Sequence, residues 1–263
     1  MKVDLSGKNI LVTGGGGYGV GAGMCQAIIE AGGKLIVNDL TESATQDAVK
    51  RYDAELGIAA DIAEAKQAEW MMESIRKSVG VLHGLVNNAG IGLIKPAFKV
   101  EEAEYQRLFQ VNLQATWRLS KLFAQQLLEA RQVGHIVNVS SVNAHATARG
   151  YAIYAATKAG IEGLTRGMAL DLGKYHIRCN AIAPGYVHSE QGFDLIGTWT
   201  EDPQAWVENL RTNHQALPYF VDSLDCGRMA TFLLTDLAKS ITGQTIYVDG
   251  GLTSMLFSND LIG

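Results

Sequence analysis

Two side chains near the middle of the chain have the types and the spacing needed to move a proton to or from an alcohol oxygen. Tyr154 and Lys158 are four residues apart, so in a helix both lie on one face, with the ammonium one turn from the phenol. A free phenol has a pKa of about 10, and a cation about 4 Å away at an effective dielectric near 20 would lower that pKa by about 2–3 pH units. The spacing therefore predicts Tyr154 as an acid/base group and Lys158 as the group that tunes its pKa.

A third polar side chain, Ser141, precedes Tyr154 by 13 residues. It follows the apolar run His135–Val139, which predicts a buried strand. A hydroxyl at the end of a strand can be presented to a bound carbonyl group. Because a Tyr-x-x-x-Lys spacing arises easily by chance, the strand and the serine that precede it give the pattern its weight.

A glycine-rich turn near the N-terminus has the composition of a dinucleotide-binding loop. The short apolar strand Asn9–Thr13 runs into this turn, after which apolar residues recur at helical spacing. Glycine is needed there because a pyrophosphate must approach the backbone closely and bind the positive end of the helix. The predicted cofactor contacts of this loop are Gly14, Tyr18, Gly19 and Gly21.

Asp39, which follows the second predicted strand, is placed to choose between NAD and NADP. It lies 18 residues beyond Gly21, where an acid binds ribose hydroxyls in dinucleotide-binding folds. A carboxylate there favours NAD, and no arginine lies near it in the sequence to bind a 2′-phosphate. The alternative is a helix cap or turn residue, since Thr41 and Glu42 follow.

These residues would be positioned by strands that alternate with helices along the chain. Such alternation predicts an α/β fold: one domain (residues 1–263) with a doubly wound Rossmann arrangement, a seven-stranded parallel sheet flanked by helices. The strands are predicted at 9–13, 34–38, 58–62, 84–90, 135–139, 177–183 and 241–251, the fourth and the last of these ending in turns.

Two long apolar helices are predicted in the middle of the chain, at 101–130 and 154–173. The second carries glycines from Gly160 to Gly167 on a face that suits close packing with another subunit. A homo-oligomer, a tetramer with closed symmetry, is therefore expected. The first contains Asn112, which either hydrogen-bonds a neighbouring backbone group or holds a water in a proton relay.

Residues from about 190 to 226 lose the strand-helix rhythm and carry several aromatic side chains, which predicts a functional lid over a small-molecule substrate. The pocket candidates lie near Ser141 or in this lid, and their mixture suits a polar ring or a polyol as well as a small cyclic ketone. A lone histidine such as His145 is also well explained as a hydrogen-bonded structural residue. The candidates are Ser141, Asn143, His145, Tyr151, Tyr154, His188, Phe193, Trp199 and Trp206.

The composition describes a globular chain and narrows its partners. The 263 residues are 47% hydrophobic and 19% charged, with 29 glycines. A formal net charge of -5 and the absence of a basic run argue against nucleic acid or an anionic membrane as a partner. No apolar stretch approaches the length of a membrane span or a signal peptide, so a cytoplasmic location is expected. Cys25, Cys179 and Cys226 are far apart and are interpreted as reduced, buried thiols, and no metal site is expected.

From Leu5 to Gly251 the sequence resembles the short-chain dehydrogenase/reductase family, because six signals fall in the family's order. Two departures are visible. Four residues instead of three separate Gly14 from Gly19, with Tyr18 as the insertion, and Ser189 stands where a threonine is usual. The six signals are the turn from Thr13-Gly14 through Gly19-x-Gly21, Asp61, Asn87-Asn88-Ala89-Gly90, Asn112, Ser141 with Tyr154-x-x-x-Lys158, and Pro184-Gly185.

The resemblance implies a role for each matching residue. Tyr154 would be the general acid/base, Lys158 would lower its pKa and hold the nicotinamide ribose, and Ser141 would polarise the substrate oxygen. Asn112 would position a water. Besides the glycine loop, Asp39, Tyr154 and Lys158, the implied cofactor contacts are Asp61, Ile62, Asn88, Ala89, Gly90, Pro184, Gly185, Val187 and Ser189.

Together these features predict an NAD-dependent oxidoreductase that moves a hydride between the nicotinamide and a secondary alcohol or ketone, such as a cyclic alcohol, a polyol or a sugar. Two alternatives stay open. One is an NADPH-dependent 3-oxoacyl-type ketone reductase, which Asp39 disfavours because its charge repels a 2′-phosphate. The other is a non-catalytic cofactor sensor or scaffold, which the intact set of Ser141, Tyr154 and Lys158 disfavours.

Overall fold

The structure of the protein, a computed structural model, describes residues 2–187, 196–197 and 200–262. The strands are β1 (Asn9–Thr13), β2 (Lys34–Asp39), β3 (Leu56–Ala59), β4 (Gly84–Asn87), β5 (His135–Val139), β6 (Arg178–Pro184) and β7 (Thr245–Val248). The helices are α1 (Val20–Glu30), α2 (Glu42–Tyr52), α3 (Ala65–Val79), α4 (Glu102–Phe109), α5 (Ala115–Ala130), α6 (Ala152–Gly173), α7 (Pro203–Asn213), α8 (Ser223–Leu233) and α9 (Asn259–Ile262).

All seven strands form one parallel sheet in the order β3-β2-β1-β4-β5-β6-β7. This confirms the predicted doubly wound, seven-stranded parallel sheet. The strand order reverses at β1, which pairs with β2 on one side and with β4 on the other. The loops after β1 and β4 therefore lie side by side in the crevice where open α/β sheets bind their ligands.

The central strands are buried on both faces, which explains why they read as continuous apolar runs. Val12 and Val37 pack in one core cluster with residues of α1, whereas Leu11 and Ile36 pack in the other with residues of α3 and α5. None of these four side chains is accessible to solvent. The two helical layers therefore hold the sheet rigid beneath the loops at its carboxyl edge.

Some elements differ from the predicted boundaries because side chains redirect the backbone. The third strand ends at Ala59, since the Asp61 carboxylate accepts the Ala63 N–H at 2.9 Å and turns the chain toward α3. The seventh strand is shorter than predicted, with glycines at positive φ on either side of it. The helix predicted at 101–130 is two helices, α4 and α5, joined by the π-helical turn Gln110–Gln114.

Helices α1 and α8 pack with their backbones almost in contact. A Cβ built at Gly23 would lie 1.9 Å from the Ser223 carbonyl oxygen, and one built at Gly227 would lie 2.0 Å from the Gly23 oxygen. Only glycine fits at these two positions, so the start of α8 fixes the helix that follows the glycine loop. The lid predicted at 190–226 therefore overlaps the first turn of a helix that belongs to the core.

The three cysteines, Cys25, Cys179 and Cys226, are free and buried, as expected. Burial raises the pKa of each thiol to about 12, so none is a reactive thiolate at neutral pH. Within the described part of the chain, no helix has the length and apolar character to cross a membrane. The cytoplasmic location stays a prediction.

Candidate active site

A cavity of about 900 Å³ opens at the carboxyl edge of the sheet. Its wall is built by the loops after β4, β5 and β6, by the start of α6 and by one face of α7. The predicted site residues that line it are Asn88, Gly90, Ser141, Asn143, Tyr151, Tyr154, Lys158, Pro184, Gly185, Val187 and Trp206.

Ser141 and Tyr154, although 13 residues apart, meet in this cavity. Ser141 leaves the end of β5 in an extended conformation, and its Oγ accepts the N–H of Asn143 at 3.2 Å. Tyr154 lies in the first turn of α6, and both side chains line the cavity, where Ser141 is near enough to influence the pKa of Tyr154. Two hydroxyls brought together in this way can share one substrate oxygen.

The pKa of Tyr154 is raised from its ordinary value, because burial disfavours the phenolate more than the neighbouring Ser141 favours it. The lowering by Lys158 that the spacing predicts is therefore not found. The Lys158 Nζ lies 5.7 Å from the centre of the Tyr154 ring and donates to the Val139 carbonyl oxygen at 2.8 Å. With its pKa raised by burial, the phenol is protonated at neutral pH, as a free phenol is, and can donate a proton.

Lys158 itself is a buried cation, with 4% of its surface exposed. Burial lowers its pKa from 10.5 to about 8, so the ammonium still carries its charge at neutral pH. A Cβ built at Gly90 would lie 3.6 Å from Nζ and 3.3 Å from Oδ1 of Asn112. The loop after β4 therefore passes between the Lys158 ammonium on α6 and the Asn112 amide in the π-helical turn.

Asn112 holds the loop after β4 in place through hydrogen bonds. Its Oδ1 accepts the Ile91 N–H at 2.9 Å, while Nδ2 donates to the Ile91 carbonyl oxygen at 3.0 Å and to Thr157 Oγ1 at 3.1 Å. Of the two interpretations drawn from the sequence, the structure shows hydrogen bonding to a neighbouring backbone for this side chain. The role in a water relay stays a prediction.

The glycine loop leaves its backbone accessible, because its glycines have no side chains to cover it. A Cβ at Gly21 would lie 2.3 Å from the Gly14 oxygen, whereas Gly17 and Gly19 face open space. Asn88 closes the loop from β4, since its Nδ2 donates to the oxygens of Thr13 and Gly14 at 2.9 and 3.0 Å. The first turn of α1 has no side-chain cap, so its N–H groups are directed at this open space. These features fit a dinucleotide pyrophosphate.

Two carboxylates predicted to face the adenosine differ in their partners. Asp39 stands beside the glycine loop, where its Oδ2 accepts the Gly16 N–H at 2.9 Å and its Oδ1 accepts the Leu40 N–H at 2.7 Å. Asp61 is paired with Arg107 at 3.0 Å. The position of Asp39 at the end of β2 suits a ribose, while Asp61 already has a cationic partner.

Some predicted residues are not brought to the cavity. His145 is exposed and packs edge-on against Tyr247, with ring centres 5.9 Å apart, because the 3-10 turn Val142–Ala144 directs it outward. This geometry does not support His145 as a substrate contact. Ile62 is buried in the core and is not part of the cavity wall. His188, Ser189, Phe193 and Trp199 lie outside the described residues.

Helix α7 supplies the predicted Trp206 and two cavity residues that sequence reasoning missed, Asn209 and Leu210. Trp206, Asn209 and Leu210 follow a spacing of three and four residues, so one helical face presents all of them to the cavity. The signal was available, because Asp202 caps this helix and Pro203 stands in its first turn. His214, just beyond α7, also lines the cavity.

The comparisons with known proteins agree with this architecture. A family model of the short-chain dehydrogenase type, described as Enoyl-(Acyl carrier protein) reductase, matches residues 15–253. The chain belongs to the short-chain dehydrogenase/reductase family. As a short-chain dehydrogenase, it is an oxidoreductase that acts on alcohol and carbonyl groups with a nicotinamide cofactor.

Three relatives show what this short-chain dehydrogenase is similar to. L-xylulose reductase of Homo sapiens is 31% identical over 251 residues, which are 95% of this chain and 98% of the relative. A 5-keto-D-gluconate 5-reductase of Escherichia coli is 30% identical over 253 residues, 94% of this chain and 96% of the relative. The crystal structure of a gluconate 5-dehydrogenase from Burkholderia cenocepacia in complex with NADP and tartrate is 29% identical, with a TM-score of 0.88 over 97% of this chain and 98% of that one.

Proposed function

We propose that the protein is an NAD-dependent dehydrogenase that transfers a hydride between the nicotinamide and a secondary alcohol or ketone, of the uncharged polyol or sugar type. The observation that carries this proposal is the meeting of Ser141 and Tyr154 in one cavity, beside the buried ammonium of Lys158. The three side chains open onto the cavity at the carboxyl edge of the sheet.

The chain's own residues handle the proton and the orientation of the substrate, while the bound nicotinamide supplies the two-electron carrier. In reduction, the protonated Tyr154 hydroxyl gives its proton to the oxygen that becomes the alcohol, and in oxidation it takes that proton back. Ser141, whose Oγ is held by the Asn143 N–H, donates a hydrogen bond to the same oxygen. Lys158 holds a positive charge near the developing alkoxide.

The cofactor proposal rests on Asp39. Its carboxylate lies at the end of β2 next to Gly16, where it can accept hydrogen bonds from ribose hydroxyls and repels a 2′-phosphate. The relative crystallised with NADP is similar in fold, but a shared fold does not fix the cofactor, because the preference depends on the side chains that face the 2′ position of the ribose. NAD is therefore the cofactor that we assign.

An uncharged substrate is favoured by the cavity wall. Among its described residues, only Lys158 and His214 can carry a charge, and no arginine and no carboxylate contributes. A carboxylate or phosphate buried there would find no arginine to bind it in a bidentate way, and the Lys158 ammonium is already bonded to the Val139 carbonyl oxygen. The amides of Asn143 and Asn209 and the rings beside them suit hydroxyl groups and C–H faces instead.

The substrate proposal is tested by matched pairs of substrates. The purified protein is assayed with NAD and neutral polyols, and with NADH and neutral ketoses, against keto-aldonates of the same carbon number. We expect turnover of the neutral members and at least tenfold lower kcat/KM for the acids, a difference of about 1.4 kcal/mol. Faster turnover of the acids would overturn the substrate class. Turnover only of 3-oxoacyl thioesters with NADPH would favour the alternative ketone reductase.

Two further proposals concern the cavity cover and assembly. Trp206 of helix α7 lines the cavity, with its ring centre 6.1 Å from that of Tyr186, and we infer that α7 is part of the predicted lid. We also infer a homotetramer, because the face formed by α4, α5 and α6 leaves Trp117 45% and Leu170 85% exposed.

A further inference from the structure

Arg51, in the last turn of α2, lies against the glycine loop. Its Nη1 donates to the Gly17 carbonyl oxygen at 3.0 Å, and its guanidinium carbon lies 3.9 Å from the centre of the Tyr18 ring. Among the described residues, no carboxylate forms an ion pair with Arg51. The cation is therefore held by a carbonyl and an aromatic face, and its charge is left uncompensated by an acid.

Gly16, which precedes Gly17 in the loop, binds a group of opposite charge, the Asp39 carboxylate. The Gly16 N–H donates to Asp39 at 2.9 Å, while the oxygen of Gly17 accepts from Arg51. The carboxylate and the guanidinium thus flank two consecutive residues of one loop without pairing with each other. Gly17 and Gly19 leave open space beside them, because a Cβ built at either would meet no atom within 4 Å.

We propose that Arg51 is a second residue that sets cofactor choice, by binding the 2′-phosphate of NADP and so offsetting part of the discrimination by Asp39. This rests on the proposed function, in which the adenosine ribose lies between the glycine loop and Asp39. A guanidinium is suited to a phosphate because its planar donors match two phosphate oxygens. The protein then prefers NAD but also uses NADP, and its use of NADP depends on Arg51.

Tyr18 is the positioning residue for this cation. It is the residue inserted in the glycine loop, and 73% of its surface is exposed, so core packing does not explain it. Its ring lies face-on to the guanidinium and limits the orientations that Arg51 can adopt. The family's glycine pattern has no residue at the position of Tyr18. Positioning Arg51 is therefore the function that we assign to this inserted residue.

The 2′-phosphate is isolated by two nucleotides without nicotinamide, AMP and adenosine 2′,5′-bisphosphate, which differ only in that group. Their dissociation constants are measured by calorimetry for the wild type and for Arg51→Gln. We expect Arg51→Gln to weaken the bisphosphate about tenfold more than it weakens AMP. Lys50→Gln removes the same charge from an exposed neighbour on α2 and should shift the ratio of the two constants by less than about twofold.

Equal weakening of both nucleotides by Arg51→Gln would overturn the proposal, since Arg51 would then only hold the loop. A wild type that binds neither nucleotide would overturn the cofactor assignment itself, which is a different result.

For Tyr18, the Tyr18→Phe variant keeps the stacking ring and should retain the wild-type ratio, whereas Tyr18→Ala should reproduce the loss seen in Arg51→Gln. In an Asp39→Asn background we expect NADPH to bind more tightly because the repulsion is removed, and Arg51→Gln should still weaken NADPH about tenfold more than NADH; equal weakening of the two in that background would also overturn the proposal.

Discussion

The surroundings of Tyr154 make it a weaker acid than a free phenol. Burial raises its pKa, and Ser141 offsets only part of that effect. Tyr151, one turn earlier on the wall of the same cavity, has a pKa raised to about 12, mainly by burial. Burial thus raises the pKa of both tyrosines, and the neighbouring Ser141 is what distinguishes Tyr154.

Removing the Tyr154 hydroxyl tests this distinction. Tyr154→Phe should lower kcat at least about a hundredfold, because a general acid/base typically contributes 10²–10⁴-fold, while the fold and NADH affinity stay nearly intact. Steady-state kinetics, circular dichroism and NADH titration measure the three quantities. Tyr151→Phe is the matched control and should act mainly on KM. The assignment is wrong if the control abolishes turnover and Tyr154→Phe retains it.

Asp39 carries the cofactor preference. The wild type should use NAD with at least tenfold higher kcat/KM than NADP, a difference of about 1.4 kcal/mol or more, because the carboxylate repels the 2′-phosphate. Initial rates at varied cofactor concentration measure both values. Asp39→Asn should narrow the ratio. Equal efficiencies in the wild type would contradict the NAD assignment.

Lys158 makes stability depend on pH. Its pKa falls from 10.5 to about 8 on burial, so between these values the unfolded chain binds a proton that the folded chain does not. The free energy of unfolding therefore rises with pH through this window. At neutral pH, burial of the charged Lys158 lowers the free energy of unfolding by about 3 kcal/mol. From pH 7 to pH 10 the wild type should gain about 2 kcal/mol of unfolding free energy relative to Lys158→Met, as measured by urea denaturation. A constant difference between the two proteins would show that Lys158 is not desolvated.

At the scale of elements, the contact between α1 and α8 positions the site most directly. Helix α1 carries the open N-terminus behind the glycine loop, and Gly23 lets α8 pack against it. The π turn between α4 and α5 has a similar effect on the other side of the site, because it places Asn112 where it bonds the loop after β4. The contact between α1 and α8 depends on the close approach of two backbones at Gly23 and not on side-chain chemistry.

Gly23→Ala should therefore destabilise the protein by about 1–3 kcal/mol, since the added methyl meets backbone atoms that cannot move aside. Gly173→Ala, at the exposed end of α6 where a Cβ meets nothing within 4 Å, is the control and should be neutral or slightly stabilising. Denaturant unfolding compares the two variants. A Gly23→Ala protein as stable as the wild type would mean that the helices separate without penalty.

At the scale of the whole molecule, one helical face combines exposed and half-buried apolar side chains. The face of α4, α5 and α6 has a groove whose wall includes Phe109, Leu113, Trp117 and Leu164. Gly160 takes part in it by packing against Leu113 of the same chain, so the predicted glycine face is only partly available to another subunit. The oligomer that we propose uses the aromatic and aliphatic part of this face.

Light scattering at micromolar concentration should give the mass of a tetramer. Trp117→Lys should lower the mass to that of a smaller species, because a charge would be buried in the interface. Trp70→Lys is the matched control, since Trp70 is 55% exposed on α3, away from this face. A wild-type monomer, or the same loss of mass in both variants, would count against the proposed interface.

The alternation of apolar runs was enough to predict the parallel sheet, because the periods of strands and helices are local properties of the chain. The spacing of Tyr154 and Lys158 likewise placed both on one helix. Membership of one element is short-range information, so it can be taken from the sequence. The direction of a side chain's hydrogen bonds is not.

Only the tertiary structure decided where those bonds go. Lys158 bonds the Val139 carbonyl of β5 because α6 packs against that strand end, and the Tyr154 pKa rises instead of falling. Arg51 was absent from the sequence neighbourhood of Asp39, yet α2 folds back and places it on Gly17, 34 residues away. Burial and long-range contacts are set by which elements meet, and one-dimensional spacing does not contain that information.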